Sequence, residues 1–245
     1  MKIEGIRSIQ NIRDLGGITT KDGRKIREGC LIRSANFGAA TDEDLLRLQR
    51  EHRLRTVIDL RTAQERIELP DHVGSCSYLP IPIIENFEAG ITHECRTEGM
   101  PFPNLRELYK MMMLNRQCQA NFRKVLKACF EHDYDSGAIL WHCTEGKDRC
   151  GMTAALLLEA LGVDRKEILE DYLETNTTNL PKAEKIYKQV EAEHGEVMAE
   201  CIYQAYIADR TYIENAWSAM NDHYITEILG FTEQEVEAFR MRILE

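Results

Sequence analysis

A chain of 245 residues, 43% hydrophobic and 29% charged, is long enough to bury a sizeable core in one domain and too apolar to be disordered. Its 31 basic and 41 acidic side chains leave a net charge of −10, which excludes nucleic acid and anionic membrane surfaces as partners unless a local basic patch overrides it. An anionic substrate would need such a patch, and the first 40 residues supply one candidate, where Lys2, Arg7, Arg13, Lys21, Arg24, Lys25, Arg27 and Arg33 exceed Glu4, Asp14, Asp22 and Glu28 by four charges.

In chain order, residues 18–20 and 25–33 read as a hairpin around the turn pair Asp22-Gly23. Thr41 with Asp44 caps a helix over 42–51. The β-branched run at 56–60 reads as a buried strand, 78–84 as a second and 137–142 as a third. A polar loop at 85–103 and helical sequence over 105–131 separate the last two. Beyond residue 151 the pattern is helical throughout: 152–161 with Gly162 as its stop, 165–175, 181–194, 196–206, 210–223, and a last helix from 233 capped by Thr232 and Glu235. Alternating strands and helices predict an α/β fold with a mainly parallel central sheet flanked by helices. The whole of 1–245 reads as one domain, its C-terminal third a helical layer with a candidate lid within 165–210.

The eight cysteines, among them Cys30, Cys95 and Cys201, form no CxxC pair and have no spaced histidine partner, so no metal site is expected and most read as reduced core residues. No signal-like apolar opening or membrane-length segment occurs, so the expected location is the cytoplasm, without integral membrane association. Oligomeric state leaves no signature.

Chemistry concentrates at 141–152, WHCTEGKDRCGM. A strand before it and a helix after it make residues 143–149 a strand-to-helix turn, which aims backbone N–H groups and a helix dipole at one point and so favours an anion. A nucleotide-binding P-loop would need glycine at 141, where Trp141 stands, and Ser or Thr at 148, where Asp148 stands. The arrangement left is Cys143 followed six positions later by Arg149. A cysteine at a helix N-terminus has its pKa lowered, and a guanidinium can grip two phosphate oxygens while the sulfur attacks phosphorus. The plainer alternative is a small core cysteine and an exposed helix-start arginine.

His142-Cys143-Thr144-Glu145-Gly146-Lys147-Asp148-Arg149 resembles the HCxxGKDR loop of a bacterial family of atypical protein-tyrosine phosphatases, some of which also act on phosphoserine, phosphothreonine or phosphoinositides. Asn11-Ile12-Arg13-Asp14-Leu15-Gly16-Gly17, Leu31-Ile32-Arg33-Ser34 and Val57-Ile58-Asp59-Leu60-Arg61 resemble three further elements of that family, in the same order. The resemblance implies a cysteine-phosphatase fold with extra helices that can form a lid. It also implies a phosphocysteine mechanism acting on a phosphorylated protein, phospholipid or small phosphomonoester, with no cofactor.

On this reading Cys143 is the nucleophile, and Thr144, Glu145, Gly146, Lys147, Asp148 and Arg149 bind the phosphate. Asp59, at the C-terminal end of a parallel strand, is the expected general acid, and the resemblance points to the same position. The alternative for Asp59 is a turn-forming or Arg61-paired carboxylate. Asp148 is the rival acid, with Glu85, Glu88, Glu94 and Glu98 behind it. Lys147 either adds charge beside the phosphate, suiting lipid or inositol phosphates, or is a solvated loop lysine. Arg13 and Asp14 are expected to organise the loop and His142 to orient the cysteine. Cys150 occupies a position where the family usually has a hydroxyl; it is either a weak donor to the sulfur or the partner in a Cys143–Cys150 disulfide. Two further function classes stay open: a catalytically silent phosphate-binding module, and a thiol redox or sulfur-transfer enzyme.

Overall fold

The computed structural model describes residues 2–85 and 104–245. Five strands, β1 (Arg13–Asp14), β2 (Leu31–Ser34), β3 (Leu54–Asp59), β4 (Ser77–Pro80) and β5 (Ala138–His142), form one sheet in the order β1-β2-β5-β3-β4. All pairings are parallel except β1 with β2, so the mainly parallel α/β sheet expected from the sequence is present. The helices are α1 (Asp42–Glu51), α2 (Ala63–Glu68), α3 (Leu105–Leu114), α4 (Arg116–Glu131), α5 (Asp148–Leu161), α6 (Arg165–Glu174), α7 (Asn176–His194), α8 (Glu196–Tyr206), α9 (Arg210–Trp217) and α10 (Glu233–Ile243), with a turn of π-helix at Tyr224–Ile228 before the last.

Strand periodicity divides the core in two. Ile139 and Trp141 of β5 join Leu31 and Ile58 on the face covered by α3, α4 and α5, while Ala138 and Leu140 join Ile32 and Val57 on the face covered by α1 and the N-terminal Ile3, Ile9 and Ile12. Both faces are dry, so the strands read as continuous apolar runs.

Several elements depart from expectation. The hairpin closes at Asp22-Gly23, Gly23 having φ +87°, and Thr19 bridges Lys25; its second arm ends at Ile26, which bridges Leu244 of the chain's end, and β2 begins only after Gly29. β4 stops at Pro80 instead of running to 84, since Pro80 and Pro82 have no N–H to give a ladder. Helix α7 starts at Asn176, before Pro181, because Asn176 bonds both Ala208 backbone groups and Asn179 donates to the Tyr206 carbonyl, fastening the segment to the end of α8. Helix α9 ends at Trp217, short of 223. The stretch after β3 had no predicted element; it carries α2, opened by a reciprocal Thr62–Glu65 capping box.

Candidate active site

Strand β5 delivers Cys143 to the sheet's C-terminal edge, and the chain turns through 144–147 into α5. Gly146, at φ +68°, lies so close to the end of β2 that a Cβ there would meet the Ser34 carbonyl carbon and oxygen at 2.6 Å, so only glycine fits. The turn is held from outside by its carbonyls. Asn36 donates its N–H and its Nδ2 to the Thr144 oxygen (3.2 and 2.9 Å), Asn11 Nδ2 lies 3.1 Å from both the Glu145 and Gly146 oxygens, and Arg33 Nη2 donates to Gly146 at 2.9 Å. In a trans peptide the N–H points opposite to the C=O, so anchoring these three carbonyls outward turns the N–H groups of Glu145, Gly146 and Lys147 inward. Together with the N-terminus of α5 they make a nest for an oxyanion.

At the base of the nest Cys143 is only 2% exposed. Burial alone would push its thiol up, but hydrogen bonding from the Cys150 thiol and backbone N–H and the charge of Arg149 overcome it, against a smaller opposing effect of Asp148, and bring it to about 6. A thiolate at neutral pH follows. The Cys150 thiol also lies 3.6 Å from the Ser34 carbonyl and 4.0 Å from that of Trp141, so three acceptors compete for one proton, and the anionic one is the strongest.

Arg149 is buried, and its two terminal nitrogens grip Glu65 of α2 at 2.6 and 2.7 Å, with Nη2 also 3.2 Å from Thr144 Oγ1. Thr144 Oγ1 in turn donates to Glu65 Oε1 at 2.6 Å. Burial opposes the ionisation of Glu65, yet Arg149 and these hydrogen bonds hold it at about 2, so the pair stays charged. A buried thiolate beneath a nest of N–H groups, flanked by a fixed guanidinium, is a site for covalent attack on a phosphorylated group.

The profile of the Tyrosine phosphatase family matches residues 5–245. The chain belongs to that family. A protein of Cupriavidus necator named as a tyrosine-protein phosphatase is 34% identical over 173 residues, which is 70% of this chain and 62% of the relative. The tyrosine-protein phosphatase of Nostoc commune is 32% identical over 145 residues, 58% of this chain and 46% of the relative. The triple specificity protein phosphatase PtpB of Mycobacterium tuberculosis is 55% identical over 38 residues, 16% of this chain and 14% of that protein. The chain thus spans between about half and two thirds of the length of the first two relatives it matches.

Within this tyrosine-phosphatase scaffold the two rival acids have opposite surroundings. Asp59, expected as the proton donor, is fully buried and accepts from the Arg61 N–H (2.9 Å), from Arg61 Nε and Nη2, and from the Tyr78 hydroxyl (2.6 Å). Burial is outweighed by His142 and Arg61, and the carboxyl is held well below the usual range. The alternative weighed for it, turn formation and pairing with Arg61, describes this geometry. Asp148, the first residue of α5, keeps 19% of its side chain exposed and accepts from the Tyr109 hydroxyl at 2.6 Å, which is itself 2.8 Å from the Tyr172 hydroxyl. Glu85 is exposed; Glu88, Glu94 and Glu98 lie outside the described residues.

The remaining expected site residues divide between the surroundings of the nest and positions away from it. Lys147 is not a solvated loop lysine: it is fully buried, with Nζ donating to the Ala205 and Ile207 carbonyls at the end of α8 (2.6 and 3.1 Å) and 3.2 Å from Asp148. Glu145 pairs with Lys182 of α7 at 2.7 Å. His142 lies against Phe37 with Nδ1 3.2 Å from the Cys143 carbonyl; Nε2 sits 3.2 Å from Asp71, angled off a good hydrogen bond. Burial works against its charge, but Asp71 and Asp59 raise its pKa. Asp59, Asp71 and His142 place three potential metal-ligand atoms within 4.8 Å of one another, but Arg61 Nη2, at 2.9 and 2.5 Å from the two carboxylates, already fills the cation's role. Asp14 accepts from the Gly16 and Gly29 N–H groups and shapes the turn between β1 and β2, away from the nest, whereas Arg13 reaches the nest through Asn11. Glu65, Asn36, Tyr109 and Asp171 are site or supporting residues that the sequence reading did not single out, and Asn11 entered it only as the first residue of a family-like element.

Proposed function

We propose that this chain is a cysteine-dependent phosphatase that hydrolyses phosphomonoesters, with phosphotyrosine in proteins its first substrate class. The observation that carries the reading is the buried Cys143 thiol held at about 6 beneath three converging N–H groups and beside Arg149. The phosphate dianion binds in the nest and on the donors of Arg149 that Glu65 does not use. The Cys143 thiolate attacks phosphorus, the bond to the leaving oxygen breaks, and Asp148 protonates that oxygen. Water then attacks the phosphocysteine, its proton passing to the Asp148 carboxylate, and phosphate and thiolate are released. No step calls on a metal or organic cofactor.

The depth of the sulfur favours an aryl phosphate long enough to reach it over a short alkyl one. The triple-specificity name of the mycobacterial relative supports a range wider than phosphotyrosine. Phosphoinositides have less support, since Lys147, the extra cation that would have favoured them, is committed to α8. The same reading takes 1–245 as one domain with 165–210 covering the site, to which Glu145 and Lys147 tie α7 and α8. No helix among the described residues is long and apolar enough to cross a membrane. A reducing, cytoplasmic setting fits seven described cysteines that are all free thiols and a nucleophile that needs to stay one.

An aryl phosphate assay at pH 5 to 7 tests the proposal. Wild type should turn over and form a phosphocysteine; Cys143→Ser should lose turnover while still binding inorganic phosphate. Binding by the wild type without turnover would make it a phosphate-binding module instead.

A further inference from the structure

Behind the nest lies a charged cluster that the mechanism above does not use. Asp171 of α6 is buried and accepts from Arg13 Nε at 2.7 Å and from Arg33 Nη1 at 2.5 Å. Each arginine then reaches the turn. Arg33 Nη2 donates to the Gly146 carbonyl at 2.9 Å; Arg13 Nη1 donates to Asn11 Oδ1 at 2.5 Å, and the Asn11 amide faces the carbonyls of Glu145 and Gly146. Arg13 is further fixed by the Asp171 carbonyl and Thr175 Oγ1. Asn11 itself sits at φ +52°, a left-handed conformation that asparagine tolerates and most residues do not.

We propose that Asp171 is a positioning residue for phosphate binding: through Arg13–Asn11 and through Arg33 it sets the direction of the Glu145 and Gly146 carbonyls, and so of the Gly146 and Lys147 N–H groups. The proposal rests on the phosphatase reading for its consequence in turnover but not for its test, which reads binding. Two buried guanidiniums facing each other would repel; a carboxylate between them lets both hold their hydrogen-bonding geometry. Burial opposes charge on Asp171, but the two arginines hold it at about 2, so the bridge persists across the working pH range. Against burial, the Cys143 thiol is lowered chiefly by Cys150 and Arg149, neither of which hydrogen-bonds Asp171, Arg13 or Asn11. Loss of the bridge should therefore weaken oxyanion binding and leave the thiolate in place, a separation that general unfolding would not produce.

The experiment measures inorganic phosphate binding by calorimetry and, separately, the pH dependence of Cys143 alkylation by iodoacetamide. Asp171→Asn should weaken phosphate binding by about tenfold to a hundredfold, the usual range for partners that orient a site's direct contacts, with the alkylation midpoint still near 6. Asp171→Glu should recover part of the affinity. Because Asp171→Asn leaves two buried arginines facing each other and could fold poorly, Asn11→Gly gives an independent arm: glycine accepts the left-handed backbone and removes only the amide. It should show a smaller loss, because the Arg33 route remains, and in a double variant with Asp171→Asn the two losses should be less than additive, since both act through the Arg13–Asn11 contacts. Ile168→Ala, which loosens the packing of α6 without touching the cluster, should lower the thermal midpoint and leave phosphate affinity alone. Unchanged phosphate affinity in folded Asp171→Asn, or additive losses with Asn11→Gly, would overturn the proposal. If the wild type binds phosphate but does not turn over, the phosphatase reading fails and the Asp171 comparison still stands; if it binds no phosphate, both fail.

Discussion

Asp59 and Asp148 are both near Cys143, and their surroundings differ in the one respect that matters to a proton donor. Asp59 lies in a closed cluster with Arg61, Asp71, His142 and Tyr78, where N–H and O–H groups saturate its oxygens and positive charge keeps it ionised. Asp148 sits at the mouth, partly exposed, with the Tyr109 hydroxyl at 2.6 Å and Lys147 Nζ at 3.2 Å but no arginine among the described residues gripping its oxygens. A carboxylate gains a structural role by being satisfied and a chemical one by being left something to do. The end of a parallel strand therefore identifies where a site is, without identifying which of its carboxylates reacts.

The largest expected consequence is kinetic. Asp148→Asn should slow hydrolysis of an alkyl phosphate by about 10²- to 10⁴-fold, while a nitrophenyl phosphate, whose leaving group needs little protonation, loses much less. Asp59→Asn should show no such leaving-group dependence. Its rate loss should be similar for the two leaving groups, and its main effect should be loss of stability, about 3–5 kcal/mol by denaturant unfolding, because Arg61 is left without part of its countercharge in a buried site. Leaving-group dependence in Asp59→Asn and not in Asp148→Asn would return the acid to β3.

The active-site turn was legible because its signals are local: an apolar strand, a cysteine with an arginine six positions on, and a helix. So were the parallel sheet and the capped helices α1 and α10. What escaped depends on distance. The Lys147 partners stand 58 and 60 residues on, and Asp171 stands 158 residues from Arg13; no spacing rule connects them. Glu65 is different. Thr62-Ala63-Gln64-Glu65 is a capping-box pattern directly after a strand, so α2 was readable, but that the same glutamate would also grip Arg149 was not.

Glu65 extends the comparison of carboxylates, being satisfied like Asp59 yet attached to a reacting group's partner. Glu65→Gln should lower kcat/KM by about tenfold to a hundredfold as Arg149 loses its fixed orientation. It should also change acid stability. The folded value near 2 lies below the unfolded one of about 4.5, so as pH falls the unfolded chain takes up the proton first. The stabilisation is complete above about pH 5 and is lost progressively toward pH 2, so acid unfolding should be less steep in Glu65→Gln than in wild type. Equal steepness would mean that the pair contributes nothing to pH-dependent stability.

The smallest effect is expected at Cys150, whose thiol and backbone N–H both stabilise the Cys143 thiolate. Cys150→Ser replaces a weak S–H donor with a stronger O–H donor, which should lower the alkylation midpoint of Cys143 slightly and speed phosphocysteine hydrolysis by about fivefold at most, the worth of one ordinary hydrogen bond. The disulfide alternative makes a different demand. After peroxide converts Cys143 to a sulfenic acid, the Cys150 sulfur would attack it, releasing water and forming the S–S bond, and a thiolate attacks far faster than a thiol. Burial, with the neighbouring Cys143 thiolate acting in the same direction, pushes the Cys150 thiol well above its ordinary value, so it stays protonated and is a slow resolving group. Wild type and Cys150→Ser treated with mild peroxide and then dithiothreitol should recover activity equally, and mass spectrometry should find no peptide joining residues 143 and 150. A linked peptide, with faster recovery in the wild type, would show instead that oxidation moves Cys150 out of the surroundings that hold its proton.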